Sequence, residues 1–125
     1  MPSSTPPATG PKGSCSRSPT RTGINIATFA AFEPDPLFPT SGAFRAALAG
    51  FTRLYADEHA AAGIRMNNVL PGFIDDLSPS EGRRGRVPMK RCGCSAEVAS
   101  LIAWLASEEG GRMTGQNLRI GAPPV

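Results

Sequence analysis

Apolar residues recur at helical spacing in one long stretch in the middle of the chain. Between residues 40 and 62 they stand three and four positions apart, which places them on one face of a 3.6-residue coil. These residues are Phe44, Ala47, Leu48, Phe51, Leu54 and Tyr55. Thr40 or Ser41 is predicted to cap the helix, and Gly63 to end it in a left-handed conformation. We therefore predict a helix over residues 40–62 that packs through this apolar face.

Short apolar runs of strand length lie on both sides of this helix. Ile24–Thr28 precedes it, and Ile64–Leu70 follows it and stops at Pro71-Gly72, where the chain must turn. A second apolar stripe at helical spacing follows Ser95, the predicted N-cap, and a last strand is predicted over residues 117–120. The order strand, helix, strand, helix, strand favours the α/β class with a parallel sheet.

The first 22 residues differ from the rest in composition. Pro, Ser, Thr and Gly occupy 17 of the first 23 positions. Such a segment cannot bury enough apolar surface to offset the entropy of ordering it, so we predict a disordered tail over 1–22 and one domain over 23–125. The net charge of +3 equals the charge of Lys12, Arg17 and Arg21, and the remaining acids and bases balance.

Charge, hydropathy and cysteine spacing exclude several classes of function. The basic cluster of residues 83–86 has no interleaved aromatic residues for base stacking, so no nucleic-acid binding is predicted. No run approaches the roughly 20 apolar residues of a membrane span, and no apolar signal opens the chain, so the predicted location is cytoplasmic and away from membranes. A single residue separates Cys92 from Cys94, which is not a metal-ligand spacing, and His59 is the only histidine, so no metal site is predicted.

Eight short motifs follow one another in a fixed order between residues 23 and 120. They are Asn25-Ile26-Ala27-Thr28, Ala46-Ala47-Leu48-Ala49-Gly50-Phe51-Thr52-Arg53, Gly63-Ile64-Arg65-Met66-Asn67, Pro71-Gly72, Pro88-Met89-Lys90-Arg91, Glu97-Val98-Ala99, Trp104-Leu105-Ala106-Ser107 and Thr114-Gly115-Gln116. In this order they resemble the C-terminal half of the short-chain dehydrogenase/reductase family. The resemblance implies a partial Rossmann-like parallel sheet of about three strands with two main helices. It also implies hydride transfer between NAD or NADP and a small carbonyl or alcohol substrate.

The resemblance assigns three catalytic positions, each with a changed residue. Thr28 stands at the serine that binds the substrate carbonyl, Ser41 at the tyrosine that acts as acid and base, and Arg45 at the assisting lysine. Thr28 keeps a hydroxyl group, but the aliphatic hydroxyl of Ser41 ionises far above the ~10 of a phenol. The planar guanidinium of Arg45 does not replace an ammonium group directly. From the residues alone, a strand end, a helix cap and a solvated position remain the respective alternatives.

The same resemblance implies a cofactor contact on the nicotinamide side alone. Pro71, Gly72 and Ile74 match the positions that meet the nicotinamide, whereas no Gly-x-x-x-Gly-x-Gly turn follows a strand. Cofactor binding by this chain alone is therefore not expected. Asp75 and Asp76 follow directly, and adjacent acids in a loop are predicted to face solvent.

Two classes of function remain open. The first is an oxidoreductase of this family, truncated and weak or inactive alone. The second is a noncatalytic interaction or dimerisation segment, or the product of a broken gene. The resemblance implies a homo-oligomer through helix 40–62, and small residues that suit close helix approach lie on that helix. They are Ala46, Ala47, Ala49 and Gly50.

Overall fold

A computed structural model of the chain describes residues 20–75 and 81–121. Its elements are β1 (Arg21–Ile26), α1 (Pro39–His59), β2 (Ile64–Pro71), α2 (Glu81–Arg86), α3 (Ser95–Ala106) and β3 (Asn117–Ile120), with 3₁₀ turns at Phe29–Ala31, Ala60–Ala62 and Glu108–Gly110. The predicted α/β order is confirmed. The first strand begins at Arg21 and ends at Ile26, earlier at both ends than predicted. The rest of the predicted tail lies outside the described residues.

The three strands form one parallel sheet in the order β1-β2-β3, as predicted. Asn25, Asn68 and Asn117 stand side by side across it. The Asn25 amide donates to Asn68 Oδ1 at 3.0 Å, and the Asn68 amide donates to Asn117 Oδ1 at 2.8 Å. From α1, the Thr52 hydroxyl also donates to Asn68 Oδ1 at 3.0 Å. We call these four side chains the asparagine ladder; because a slip of one residue would break it, it specifies the register.

Helix α1 packs through small residues and not through its aromatic stripe. Its buried positions are Gly42, Ala49, Thr52 and Ala56. The backbone approach explains this choice, because a Cβ at Gly42 would lie 3.0 Å from the Ala30 carbonyl oxygen. Larger side chains on this face would push the helix away from β2 and from the turn after β1.

The predicted packing face of α1 is mostly exposed, although Leu48 and Tyr55 on it are half-buried, and this corrects the sequence prediction. Phe44 is 71% exposed, Phe51 is 55% exposed and Leu54 is 72% exposed. Helical spacing showed that these residues share one face, but spacing does not show which face meets the sheet. Ala49, predicted as part of a small-residue contact surface, is buried inside the chain instead.

The observed helix ends agree in part with those predicted from the sequence. Gly63 has φ 72° and closes the turn after α1, as predicted. The N-cap of α1 is Phe38 and not Thr40 or Ser41, because Pro39 fits the first helical position, where its missing N–H costs nothing. Likewise the N-cap of α3 is Cys94 and not Ser95.

Candidate active site

The carboxyl ends of the three parallel strands meet at one edge of the sheet, which is where ligands bind in open α/β folds. Thr28 lies two residues beyond β1, and Pro71 is the last residue of β2. The Gly72 amide donates to the Ile120 carbonyl at 2.9 Å, which joins the ends of β2 and β3. The candidate positions after β1 and β2 thus lie along this edge.

Thr28 has an extended backbone and caps the 3₁₀ turn that follows β1. Its Oγ1 accepts a hydrogen bond from the Ala30 amide at 3.2 Å. The hydroxyl proton remains available to donate, since a hydroxyl group carries one proton and two lone pairs. The structural and the substrate-binding roles of Thr28 are therefore compatible.

Ser41 and Arg45 lie one helical turn apart on the same side of α1. Ser41 is exposed, and since Phe38 is the N-cap, the helix-cap alternative for Ser41 is wrong. Arg45 is half-buried and its Nη1 donates to the Ile26 carbonyl at 3.2 Å. The arginine therefore reaches the end of β1, two residues before Thr28, instead of extending into solvent.

The segment after β2 makes a short extra pairing at the same edge. Ile74 pairs in parallel with Gly93, which stands just before α3. The Gly93 amide donates to the Phe73 carbonyl at 2.9 Å, and the Asp75 amide donates to the Gly93 carbonyl at 3.0 Å. Ile74 also lines a mainly apolar cavity of about 260 Å³, and Val98 of α3 is among the other lining residues.

The prediction that Asp75 faces solvent is wrong, because its carboxylate is partly buried and paired. Its Oδ2 lies 3.1 Å from the Arg84 guanidinium, and its Oδ1 is buried without a hydrogen bond among the described residues. Burial raises the pKa of the neighbouring Cys92 thiol, and the Asp75 carboxylate raises it further. Cys92 is thereby held as a weakly reactive thiol. Asp76 lies outside the described residues.

A second ion pair stabilises the first turn of α3. Arg91 contacts the Glu97 carboxylate through two hydrogen bonds of 3.1 and 2.8 Å. Glu97 also accepts from the Cys94 amide at 3.0 Å. Arg91, and after it this amide, lower the pKa of Glu97 to about 2. The pair fixes the wall of the cavity and leaves neither charge free for chemistry.

Sequence reasoning missed the contacts that join the two loops of this edge. Phe29, after β1, meets Phe73, after β2, edge to face at 5.6 Å. Asp35 forms an ion pair of 2.8 Å with Arg86. Each of these pairs joins residues more than forty positions apart, and no local pattern in the sequence marks them.

The positions that the resemblance assigns to a nicotinamide contact lie at the edge of the sheet. Pro71, Gly72 and Ile74 are half-buried at the strand edge, and Arg45 is close to it. A dinucleotide also needs a glycine-rich turn whose amides hold its phosphates. The loop from Ala27 to Phe38 contains no glycine. The residues present therefore do not fit the whole cofactor.

Residues 20–75 and 81–121 form neither a cluster of metal ligands nor a helix suited to a membrane. No three His, Cys, Asp or Glu side chains come together as ligands for a metal ion. None of the helices in these two ranges has the length and hydropathy that a bilayer crossing requires.

Comparison with known proteins identifies the fold. The family described as enoyl-(acyl carrier protein) reductase matches residues 17–122. The nodulation protein G of Rhizobium sp. is 34% identical over 104 residues, covering 78% of this chain and 42% of that protein. The 3-oxoacyl-(acyl-carrier-protein) reductase of Thermotoga maritima gives the same identity and coverage.

Solved structures agree with these sequence matches. The acetoin dehydrogenase of Salmonella typhimurium is 34% identical with a TM-score of 0.72, covering 80% of this chain and 41% of that one. The 3-ketoacyl-(acyl-carrier-protein) reductase of Brucella melitensis, solved with NADH, is 25% identical with a TM-score of 0.74, covering 81% and 43%. The chain spans less than half the length of each of these relatives. The matched family, the relatives and the shared fold establish that the chain belongs to the short-chain dehydrogenase/reductase family.

Proposed function

We propose that this chain supplies the nicotinamide side and the substrate side of a short-chain dehydrogenase/reductase site, and that it is weak or inactive alone. The parent reaction is hydride transfer between NAD or NADP and a small carbonyl or alcohol substrate. Relatives named as acetoin dehydrogenase and acetoacetyl-CoA reductase suggest small carbonyl compounds as first probes.

One observation carries the proposal. The backbone that would frame the site is present, with Thr28 after β1, Arg45 bonded to the end of β1, and Pro71-Gly72 at the end of β2. The group that would transfer the proton is missing, because Ser41 replaces a phenol with an aliphatic alcohol that stays protonated near neutral pH. The scaffold is thus better preserved than the catalyst.

A chimera separates the scaffold from the catalyst. Residues 20–125 are fused to the preceding part of the Thermotoga maritima reductase, which provides a cofactor-binding half. NADPH oxidation is then measured with acetoacetyl-CoA. We expect the Ser41→Tyr/Arg45→Lys chimera to exceed the unmodified chimera by a factor of about 10²–10⁴, the usual contribution of general acid catalysis.

The matched control is the Thr40→Tyr/Phe44→Lys chimera, which places the same groups about 100° further round α1. It should be no faster than the unmodified chimera. Equal rates for the unmodified and repaired chimeras would refute the assignment of Ser41 and Arg45. A folded repaired chimera that binds no cofactor would refute the nicotinamide-side role of the scaffold.

A second candidate function is self-association through α1. The exposed stripe of Phe44, Phe51 and Leu54 is a contiguous apolar surface on the outer face of one helix. Such surfaces mark protein contacts when they are not scattered singly. A second copy of α1 offers a face of the same composition. This function requires no catalysis.

Sedimentation analysis of two variants tests self-association. Leu54→Lys places a charge in the stripe and should shift the chain toward monomer. Leu37→Lys is the matched control, because Leu37 is 68% exposed but lies in the loop before α1. An unmodified chain that is monomeric at all concentrations would refute this second function, as would equal dissociation by both variants.

We also propose a cytoplasmic location. Cys92 and Cys94 are both free thiols. Free thiols persist in reducing compartments, where glutathione and thioredoxin keep them reduced. Reaction of the unmodified protein with a thiol reagent, directly after extraction from cells, tests this proposal. Modification of Cys94, the half-buried thiol, supports it, and a fully oxidised Cys94 would contradict it.

A further inference from the structure

The loop after β1 and the segment after β2 are joined by an ion pair at the candidate site. Asp35 Oδ2 lies 2.8 Å from Arg86 Nη2. The Asp35 side chain is 6% exposed, and its other oxygen accepts from the Leu37 amide at 2.9 Å. The Leu37 amide, and after it Arg86, lower the pKa of Asp35. The carboxylate is therefore oriented by its own loop, with one oxygen directed at Arg86.

Arg86 in turn contacts the residue that precedes Ile74. Its guanidinium carbon lies 5.3 Å from the centroid of the Phe73 ring, within the range of a cation–π interaction. Phe29 meets the same ring edge to face, and the guanidinium carbon of Arg83 lies 5.7 Å from its centroid. Phe73 thus contacts side chains from both loops, and its own carbonyl accepts from the Gly93 amide.

Helix α2, which carries Arg86, cannot hold this position by itself. It has six residues and none of them is buried. An isolated helix of that length is unstable in water, so tertiary contacts must place it. These contacts include the ion pairs of Arg84 with Asp75 and of Arg86 with Asp35, and the approach of Arg83 and Arg86 to the Phe73 ring.

Two of the three basic residues of α2 are already paired with carboxylates. Arg84 is bound by Asp75 and Glu81, and Arg86 is bound by Asp35. These two guanidinium groups therefore already have carboxylate partners, which weakens their attraction for a further anion. Their chemistry fits a structural clamp between loops better than ligand binding.

We propose that Asp35 and Arg86 form a latch that positions Phe73 and Ile74 at the candidate site. The latch acts through the Phe73 ring, and both residues are positioning residues with no contact to the reacting atoms. The proposal rests on the proposed function for the role of Ile74. Its test uses no cofactor, so it can fail while the proposed function stands, and the reverse also holds.

Amide hydrogen exchange by NMR on the unmodified chain and on Arg86→Met tests the latch. Methionine keeps an apolar stem near Phe73 and removes the charge. We expect exchange at the Asp75 and Gly93 amides to accelerate about tenfold or more, as expected when a charge-assisted hydrogen bond to a buried partner is lost. Exchange at Leu70, in the centre of the sheet, should change by a much smaller factor. The Ile74 δ1 methyl resonance should shift because the Phe73 ring moves.

Two further variants complete the test. Arg86→Lys keeps the charge and should restore part of the protection at Asp75 and Gly93. Asp57→Asn is the matched control, because it breaks an exposed ion pair with Arg53 on α1, away from both loops. It should leave the two amides unchanged.

Three outcomes would overturn the latch. They are unchanged exchange at Asp75 and Gly93 in Arg86→Met, equal acceleration at Leu70, and no recovery in Arg86→Lys. Equal acceleration at Leu70 would show that the pair stabilises the whole chain and does not position the site. Arg86→Met leaves the nearly buried Asp35 carboxylate without its counter-charge, so the Leu70 amide is needed to measure any loss of global stability.

Discussion

Replacing Asn68 with leucine should destabilise the chain more than its size suggests. Asn68 is 1% exposed and binds Asn25, Thr52 and Asn117 through its side chain. Leucine has the same branched skeleton of heavy atoms but is larger and has no polar atoms, so overpacking can only add to the cost. The perturbation therefore removes the centre of the asparagine ladder without creating a large cavity.

The magnitude follows from the groups that lose a partner. The Thr52 hydroxyl is fully buried and would have no acceptor at Asn68, which costs about 1–3 kcal/mol. Asn25 and Asn117 are half-buried and can turn partly to water, which adds about 1 kcal/mol together. The sum is about 3 kcal/mol, a large share of a typical stability of about 5–15 kcal/mol. The melting temperature should fall by on the order of 15 °C.

Urea denaturation followed by circular dichroism measures this cost. All variants are compared at one protein concentration, because self-association would stabilise the folded state. Gln116→Leu is the matched control, since it replaces an exposed amide side chain next to β3. Adding Thr52→Val to Asn68→Leu should recover about 1–2 kcal/mol, because it removes the stranded hydroxyl. A free energy of unfolding for Asn68→Leu equal to that of the unmodified chain would refute the reasoning.

Three further variants test other parts of the fold by the same denaturation assay. Gly50→Ala should stabilise the chain by about 0.5–1 kcal/mol, because Gly50 lies inside α1 with nothing within 4 Å of an added Cβ; a loss of stability would contradict this. Gly110→Ala should destabilise it by more than about 1 kcal/mol, because the added Cβ would lie 2.8 Å from the Leu105 carbonyl oxygen; an unchanged midpoint would refute the contact. Arg91, and after it the Cys94 amide, lower the pKa of Glu97 from 4.5 to about 2. Ionised Glu97 therefore stabilises the folded state above pH 4.5, and this contribution is lost as the pH falls toward 2. The difference in midpoint between the unmodified chain and Glu97→Gln should therefore shrink across that window, and a constant difference would contradict the assignment.

The element order could be predicted from the sequence because it depends on local signals. Gly63, Pro71 and Gly72 mark the ends of α1 and β2 by backbone chemistry alone. The last strand, Asn117–Ile120, has the bounds that its apolar pattern predicts. The strand before α1 was misplaced by three residues at its start, because pairing with β2 extends it into polar Arg21 and Thr22.

The orientation of α1 could not be predicted from periodicity. Both of its faces are regular, one with small residues and one with large apolar residues. Burial of the larger residues is the usual expectation, since it removes more apolar surface from water. The close approach of Gly42 to the Ala30 backbone instead selects the face of small residues for burial. This approach depends on the folded chain and leaves no pattern in the sequence.

The candidate site was predictable at the positions that family motifs mark and not elsewhere. Thr28 and Arg45 are close to the end of β1, as the motifs imply, although their chemical roles stay predictions. Asp35 and Arg86 carry no local signal, since a Pro-rich loop and a basic run are both typical of solvent-facing segments. Their pairing depends on how the two loops fold over one edge of the sheet.

Fluorescence titration of the purified chain with NADH and NADPH tests the central claim most directly. The claim is that the chain keeps the nicotinamide side of a short-chain dehydrogenase/reductase site but cannot hold the cofactor alone. We predict no saturable binding of either cofactor up to millimolar concentration. Saturable binding well below that concentration would contradict the claim and would show that this chain holds the whole cofactor.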